Sequence, residues 1–260
     1  MKVAISGKGG VGKTTLAGIL ARTFASKGYD VLAIDADPNA NLAINLGFPL
    51  AEAQQITPIS ENDTLIEEKT GVAPDSYGGV FRLSFQVNDI VQRYGIQSPE
   101  GINLLVMGVV RTAGQGCMCP ANALIRAILR HVILKRDEVI IMDMEAGTEH
   151  FGRRTAEHVD VMLIVTDANL KALETAKNIL NLSKELNVQQ AFIVGNRVLD
   201  TFESDMIQRY CETNQLPLLH IIPYDQNIRK SDVLGKVLPP SSNSSGFQAA
   251  QIVFEKIMKQ

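Results

Sequence analysis

Three things are scarce in this 260-residue sequence: cysteine, long apolar runs and an excess of basic charge. The three cysteines, two of them crowded at Cys117 and Cys119, exclude a disulfide framework. No run approaches the roughly 20 apolar residues of a membrane span. Lysine and arginine total 25 against 28 acidic residues, which leaves no basic footprint for duplex DNA. The first residues, "MKVAISGKGG", are typical of a strand entering a loop and not of a signal peptide, so we expect a cytoplasmic protein with reduced thiols.

The sequence does contain a regular alternation of short apolar runs and amphipathic stretches. Seven apolar runs predict strands buried on both faces of a parallel sheet: Val3–Ser6, Val31–Asp35, Ile102–Met107, Val139–Met142, Val161–Val165, Ala191–Val194 and Leu218–Ile222. Five amphipathic stretches predict helices: Lys13–Lys27, Pro120–Lys135, Leu170–Leu186, Glu203–Asn214 and Phe247–Lys259. We therefore predict an α/β fold, a doubly wound and mostly parallel sheet with helices on both faces, in a single domain of residues 1–260. Residues 49–80 break this rhythm with turn-forming residues, so we expect a variable insertion at about 49–100.

The segment "GKGGVGKTT", between the first predicted strand and the first predicted helix, indicates a nucleotide site. It matches the pattern G-x-x-x-x-G-K-[ST] at Gly7, Gly12, Lys13 and Thr14. Glycines let the backbone curl so that its N–H groups point at phosphate oxygens, and the helix adds the positive end of its dipole. We expect Lys13 to bridge the β- and γ-phosphates and the Thr14 hydroxyl to hold Mg²⁺. The expected phosphate-binding residues are Gly9, Gly10, Val11, Gly12, Lys13, Thr14 and Thr15.

A second lysine in the loop, Lys8, narrows the class of protein. With it, "KGGVGKTT" resembles the deviant P-loop of the MinD/ParA/nitrogenase-iron-protein group of ATPases. The resemblance covers nearly the whole chain except residues 49–100. It implies a MinD-like P-loop NTPase that hydrolyses ATP to ADP as a homodimer, with Lys8 reaching across the dimer to the phosphates bound by the partner.

Carboxylates follow two of the predicted strands, at positions that match this group. In "DADPNANL", Asp35 and Asp37 match the first switch, which implies that Asp37 positions the attacking water and that Asp35 lies near the Mg²⁺ shell. In "VIIMDMEAG", Asp143 matches the Walker-B carboxylate, and Gly147 lies in the second switch, where its N–H can approach the γ-phosphate. The residues implied in catalysis are Lys8, Lys13 and Asp37.

Two further segments carry the expected contacts to the base. In "VGNRV", Asn196 matches the adenine-reading asparagine of the group, because an amide offers a donor and an acceptor together. Arg197 beside it is also expected to belong to the residues that bind the nucleotide cofactor. In "IIPYD", Pro223 belongs to a loop that resembles the group's next base contact.

The segment "GQGCMCP" places Cys117 and Cys119 one residue apart on a glycine loop. A bridge between them is disfavoured, because the Cα atoms of a disulfide lie roughly 5.5 Å apart. Two thiolates from one chain leave a metal site incomplete, but a two-fold dimer doubles them to four. Four thiolates suit Zn²⁺ in a tetrahedron or Ni²⁺ in a square plane, and Cu⁺ takes fewer. Cys211, on a predicted helix far along the chain, is expected to be buried without a role.

The P-loop, "GCMCP" and "DMEAGTEHFGRRTAEHVD" together resemble the CooC-type ATPases that insert nickel into carbon monoxide dehydrogenase. The similar ATPases that mature acetyl-CoA synthase match as well. The resemblance implies a homodimer that holds Ni²⁺ or Zn²⁺ between its Cys-X-Cys pairs and delivers the metal to the apo form of one of these enzymes. Neither a nucleic acid nor a membrane is expected as a partner.

Two alternatives stay open. A MinD- or ParA-like positioning ATPase would carry a basic amphipathic tail or a basic patch, whereas "GFQAAQIVFEKIMKQ" has only two lysines. An electron-transfer ATPase of the nitrogenase iron-protein kind would hold a [4Fe–4S] cluster on four thiolates between subunits. That group places its two cluster cysteines far apart in sequence, whereas here they are nearly adjacent.

Overall fold

The structure, a computed structural model, describes residues 1–37, 41–73, 82, 86–108, 120–135, 137–145, 158–239 and 243–259. Within these residues eight strands form one sheet: β1 (Lys2–Gly7), β2 (Val31–Ala36), β3 (Ile96–Gln97), β4 (Asn103–Val106), β5 (Val139–Met144), β6 (Val161–Thr166), β7 (Gln190–Val198) and β8 (Leu218–Pro223). The strand order is β3-β4-β2-β5-β1-β6-β7-β8, and only the short β3 runs antiparallel to its neighbour. The chain leaves β1 toward one side of the sheet and later returns to its other side at β6, which opens a crevice beyond the carboxyl end of β1.

The described helices are α1 (Lys13–Ser26), α2 (Leu42–Asn45), α3 (Leu50–Ala53), α4 (Asp63–Thr70), α5 (Ile90–Tyr94), α6 (Pro120–Lys135), α7 (Leu170–Glu185), α8 (Thr201–Thr213), α9 (Gln226–Leu234) and α10 (Ser245–Ile257). They cover both faces of the sheet. Successive residues of a strand point to opposite faces, so each strand contributes side chains to the core on either side. Val3 and Ile5 of β1 join the core beneath α1 and α10, whereas Ala4 joins the core beneath α6, α7 and α8. The predicted doubly wound α/β fold is confirmed.

The described residues between 49 and 95 form short helices, and one turn among them reaches the end of β4. A 3₁₀ turn, Ile59–Glu61, lies between α3 and α4. Within it the Ser60 N–H donates to the Met107 carbonyl oxygen at 3.0 Å. Gly108 follows with a φ of 65°, and a Cβ there would lie 2.2 Å from the Ser60 hydroxyl oxygen, so only glycine fits. This stretch therefore supports the strand end from which the segment with the two cysteines departs.

Three local features differ from or complete the sequence-based expectation. Helix α9 was not predicted, because no residue of it is buried and its sequence carries no apolar stripe. Cys211 is buried as expected, and burial raises the pKa of its thiol to about 11. Among the described residues, no helix is both long enough and apolar enough to cross a bilayer.

Candidate nucleotide-binding site

The phosphate loop connects Gly7 at the end of β1 to Lys13 at the start of α1. Gly7 has a φ of 148°, and a Cβ on it would lie 2.2 Å from the Val165 carbonyl oxygen of β6. Gly12 has a φ of 91°, and a Cβ on it would lie 2.4 Å from the Asn196 amide nitrogen of β7. Both positions combine a left-handed backbone with close packing, which only glycine tolerates. The loop is thereby held against the two neighbouring strands.

The start of α1 is arranged to receive an anion. Its capping residue, Gly12, offers no side chain to the first N–H groups, and the first turn contains no acidic residue. Those N–H groups and the helix dipole are therefore available to phosphate oxygens. Lys13 is only 5% exposed, and its ammonium group lies 3.4 Å from the Lys8 carbonyl oxygen. A buried cation in the loop completes the positive environment that phosphates need.

Two buried carboxylates stand side by side at the carboxyl ends of β2 and β5. Asp35 and Asp143 are register partners, and neither is exposed. Burial raises the pKa of Asp143 to about 7, and the charge of Asp35 adds to the rise. Thr14 and Lys13 lie close enough to oppose it. Neither oxygen of Asp143, however, has the geometry of a hydrogen bond with any described residue.

A divalent cation fits this arrangement. A buried carboxylate without a hydrogen-bond donor is costly, and a hard cation with its waters would compensate the charge. The Thr14 hydroxyl and the Asp143 carboxylate are oxygen ligands of the type that Mg²⁺ prefers, either directly or through water. The structure therefore brings Thr14, Lys13 and Asp143 together as the sequence predicts.

Asp35 has a second role, since it also organises the backbone that follows β2. Its two carboxylate oxygens accept from the N–H of Leu42 at 2.8 Å and from the N–H of Asp37 at 3.2 Å. Burial raises the pKa of Asp35 to about 6, although these hydrogen bonds oppose the rise. Asp37 is half-buried and close enough to raise the pKa of Asp143 as well. Its assignment as the water-positioning residue stays a prediction.

A pocket lies beside the loop, between α1, α9, α10 and the ends of β7 and β8. Its lining includes Gly12, Thr15, Asn196, Arg197, Pro223 and Asp225. The Asn196 side chain, 8% exposed, donates one N–H to the Val11 carbonyl oxygen at 2.8 Å. An amide has two N–H groups and a carbonyl oxygen, so one donor and the acceptor remain for an adenine edge.

Asp225 is the residue that sequence reasoning missed. Its carboxylate accepts from the Asn227 N–H at 2.7 Å, from the Ser244 hydroxyl at 2.8 Å and from the Gly246 N–H at 3.0 Å. Burial alone would raise the pKa of Asp225, but these hydrogen bonds outweigh it and lower the pKa to about 2. It joins the starts of α9 and α10 into one wall of the pocket. An aspartate just before a polar helix was the available signal, since it is a preferred N-cap.

The remaining predicted residues divide into two groups. Lys8 is half-buried in the loop, while Gly9 and Gly10 are exposed on it. Gly147, Cys117 and Cys119 lie outside the residues that the structure describes.

A glycine loop that enters a helix, a buried lysine and paired carboxylates at one edge of a parallel sheet define a P-loop nucleotide-binding protein. Residues 2–238 match the family described as "CobQ/CobB/MinD/ParA nucleotide binding domain", and the chain belongs to this family. It is an ATPase, with ATP and ADP as its nucleotides.

Known proteins of similar sequence and fold agree with this assignment. The chain is 41% identical over 259 residues to an uncharacterized ATP-binding protein of Methanocaldococcus jannaschii, covering 100% of this chain and 98% of that protein. It is 42% identical over 235 residues to the carbon monoxide dehydrogenase accessory protein CooC of Rhodospirillum rubrum, covering 90% of this chain and 88% of CooC. The MinD cell division protein of Aquifex aeolicus has the same fold, with a TM-score of 0.67, 18% identity and coverage of 100% and 98%.

Proposed function

We propose that this ATPase is a nickel chaperone that uses ATP hydrolysis to insert nickel into carbon monoxide dehydrogenase or the related acetyl-CoA synthase. Two protomers form a homodimer, and Cys117 and Cys119 of both hold the metal where the protomers meet. The similarity to CooC, a carbon monoxide dehydrogenase accessory protein, supports this client. The Cys-X-Cys sequence supports a soft metal as the cargo, because thiolates bind such ions.

The observation that carries the proposal is where the cysteine segment leaves the sheet. Val106 of β4 is the register partner of Asp35, and the Met107 N–H donates to the Asp35 carbonyl oxygen at 2.8 Å. The segment that contains both cysteines starts two residues later, and it ends at Pro120, where α6 begins. A shift of Asp35 when nucleotide binds would therefore pull directly on the strand that leads to the cysteines.

The mechanism follows from the residues around the phosphates. Lys13 and the N–H groups of the loop bind the phosphates. Thr14 and Asp143 would hold Mg²⁺, directly or through water, and the cation would neutralise part of the phosphate charge. Asp37 orients the attacking water. Lys8 of each protomer reaches the phosphates of its partner, and the contacts of Lys8 and Gly147 exist only with the γ-phosphate, so ATP favours the closed dimer. Hydrolysis removes the contacts to the γ-phosphate and so changes the geometry of the shared thiolates.

The test is metal content against oligomeric state. Reduced protein is loaded with Ni²⁺ or Zn²⁺, with and without nucleotide, and analysed by size-exclusion light scattering and elemental analysis. The variant Cys117→Ser/Cys119→Ser runs beside the wild type, with Cys211→Ala as the matched control because it removes the remaining cysteine. We expect one metal ion per dimer in the wild type and the control and none in the double variant, which keeps some ATPase activity.

Two outcomes would overturn parts of the proposal. A dimer without metal that forms equally well in the double variant would rule out a metal site shared between the thiolates of the two protomers. Metal binding without nickel transfer to apo carbon monoxide dehydrogenase or apo acetyl-CoA synthase would rule out these two enzymes as recipients of the metal.

A further inference from the structure

The geometry points to Arg197 as a positioning residue for the phosphate loop: with Asn196, it holds two consecutive loop carbonyls and so aims the following N–H groups at the phosphates. This role differs from a direct contact with the nucleotide. It concerns nucleotide binding alone and does not depend on the metal or on the client enzyme.

Two adjacent side chains of β7 reach two adjacent carbonyls of the loop. The Arg197 guanidinium donates to the Gly10 carbonyl oxygen at 2.7 Å. The Asn196 amide donates to the Val11 carbonyl oxygen at 2.8 Å. The partners are 187 and 185 residues apart in sequence, so both contacts are made only by the folded sheet. The Gly12 position is so close to Asn196 that no side chain fits between them.

Peptide planarity converts these contacts into an orientation. In a trans peptide group the C=O and the following N–H point in opposite directions. A Gly10 carbonyl drawn toward Arg197 therefore turns the Val11 N–H away from it. The Val11 carbonyl, drawn toward Asn196, turns the Gly12 N–H away in the same manner. Both N–H groups thus face away from β7, toward the side of the loop on which we expect the phosphates, and they need not reorganise on binding.

The backbone of β7 is distorted at the point where this contact is made. Arg197 has a φ of 60°, in the left-handed region that side-chain-bearing residues rarely adopt. The pairing of β7 with β8 also shifts register between Gly195 and Val198. A bulge of this kind re-aims side chains at a strand end, here toward the loop. Left-handed backbone at a residue other than glycine is unfavourable, and such strain is concentrated at functional sites.

The first test compares ligands with and without phosphates. Affinities for ADP and for adenosine are measured by titration calorimetry or by displacement of a fluorescent nucleotide. Arg197→Ala is expected to weaken ADP binding by roughly tenfold or more, since a charged hydrogen bond that orders the loop is lost, and to weaken adenosine binding much less. Arg197→Lys, which keeps a charged donor, should recover part of the loss. Arg209→Ala, an exposed arginine of α8 with the same change in charge, is the matched control and should bind both ligands as the wild type does.

The second test separates positioning from stability. Arg197→Gly removes the same guanidinium as Arg197→Ala but relieves the left-handed backbone, so it should melt about two to four degrees higher than Arg197→Ala. Its ADP affinity should nevertheless be as low as that of Arg197→Ala. An equal loss of ADP and adenosine affinity would show direct contact with the nucleoside and overturn the inference. Recovery of ADP affinity in Arg197→Gly would overturn it as well, because the loop would then respond to stability and not to the side chain.

Discussion

Two buried aspartates near the nucleotide site stand in opposite environments. Asp225, in the wall of the pocket beside the phosphate loop, accepts hydrogen bonds from two helix starts, and its pKa is lowered to about 2. Asp143, at the end of β5, accepts none from the described residues, and its pKa is raised to about 7. One carboxylate is satisfied by the protein itself, whereas the other needs a ligand. The difference separates a structural residue from a candidate cation site without reference to motifs.

Asp35 stands between these extremes. It accepts backbone hydrogen bonds, among them those from Leu42 and Asp37, yet burial still raises its pKa to about 6. A carboxylate has about four lone-pair sites, so Asp35 can hold the segment after β2 and still face a hydrated cation. This double use provides a physical link between the nucleotide site and the neighbouring strand β4.

The largest expected effect is on hydrolysis. Asp143→Asn keeps the volume of the side chain but removes the charge that the cation needs, so Mg²⁺-dependent ATPase activity should fall by about a thousandfold. Steady-state phosphate release at saturating ATP and Mg²⁺ measures it. ADP binding without Mg²⁺ is the control and should remain, since the loop and Lys13 are intact. Normal hydrolysis in this variant would mean that Asp143 is not a site for the cation.

Replacement of the other carboxylate, Asp225, should lower the stability of the protein. Asp225→Ala leaves several donors at the starts of α9 and α10 without their acceptor, and the free energy of unfolding should fall by about 3 kcal/mol. Urea denaturation at pH 7 measures this. ADP affinity should also decrease, because the pocket wall is loosened. A variant as stable as the wild type would refute the structural role of Asp225.

A smaller effect should appear in the pH dependence of stability. A carboxyl whose pKa rises from 3.8 to about 7 binds more protons in the folded than in the unfolded state between these values. The contribution of Asp143 to stability is therefore present below pH 4 and lost as the pH rises through about 7. Asp143→Asn lacks this loss, so in the absence of nucleotide and Mg²⁺ it should melt a few degrees higher than the wild type at pH 8.

The control for this effect is pH 5, where the Asp143 carboxyl is mostly protonated and the two proteins should melt much closer together. Mg²⁺ with ADP should also narrow the gap at pH 8, because the cation compensates the charge. A gap that is the same at both pH values would argue against a raised pKa for Asp143.

The parts of the molecule that were predictable from sequence are those fixed by local patterns. Buried strands such as Val161–Thr166 are continuous apolar runs, and α1 begins at the lysine of a motif whose spacing carries its own chemistry. The confirmed fold class follows from their alternation. By contrast, α9 has a polar sequence, and β3 has only two residues, so neither gives a periodic signal.

The geometry that sequence reasoning could not supply depends on residues far apart in the chain. Asn196 was predicted as a base contact, but its bond to Val11 needs the folded sheet. The role of Asp225 depends on Ser244 and Gly246, about 20 residues away across a helix and a loop. Long-range hydrogen bonds of this kind decide which carboxylates are anchored, and no local pattern records them.

The smallest effect is expected at an exposed carboxylate that resembles Asp225 only in its position before a helix. Asp200 caps α8 with one hydrogen bond, from the Glu203 N–H at 2.9 Å, and it is exposed to solvent. Asp200→Ala should lower the free energy of unfolding by about 1 kcal/mol and leave ADP affinity unchanged. Urea denaturation beside Asp225→Ala gives the comparison directly. If the two variants lose equal stability, helix capping alone explains Asp225, and the joining of two helix starts adds nothing.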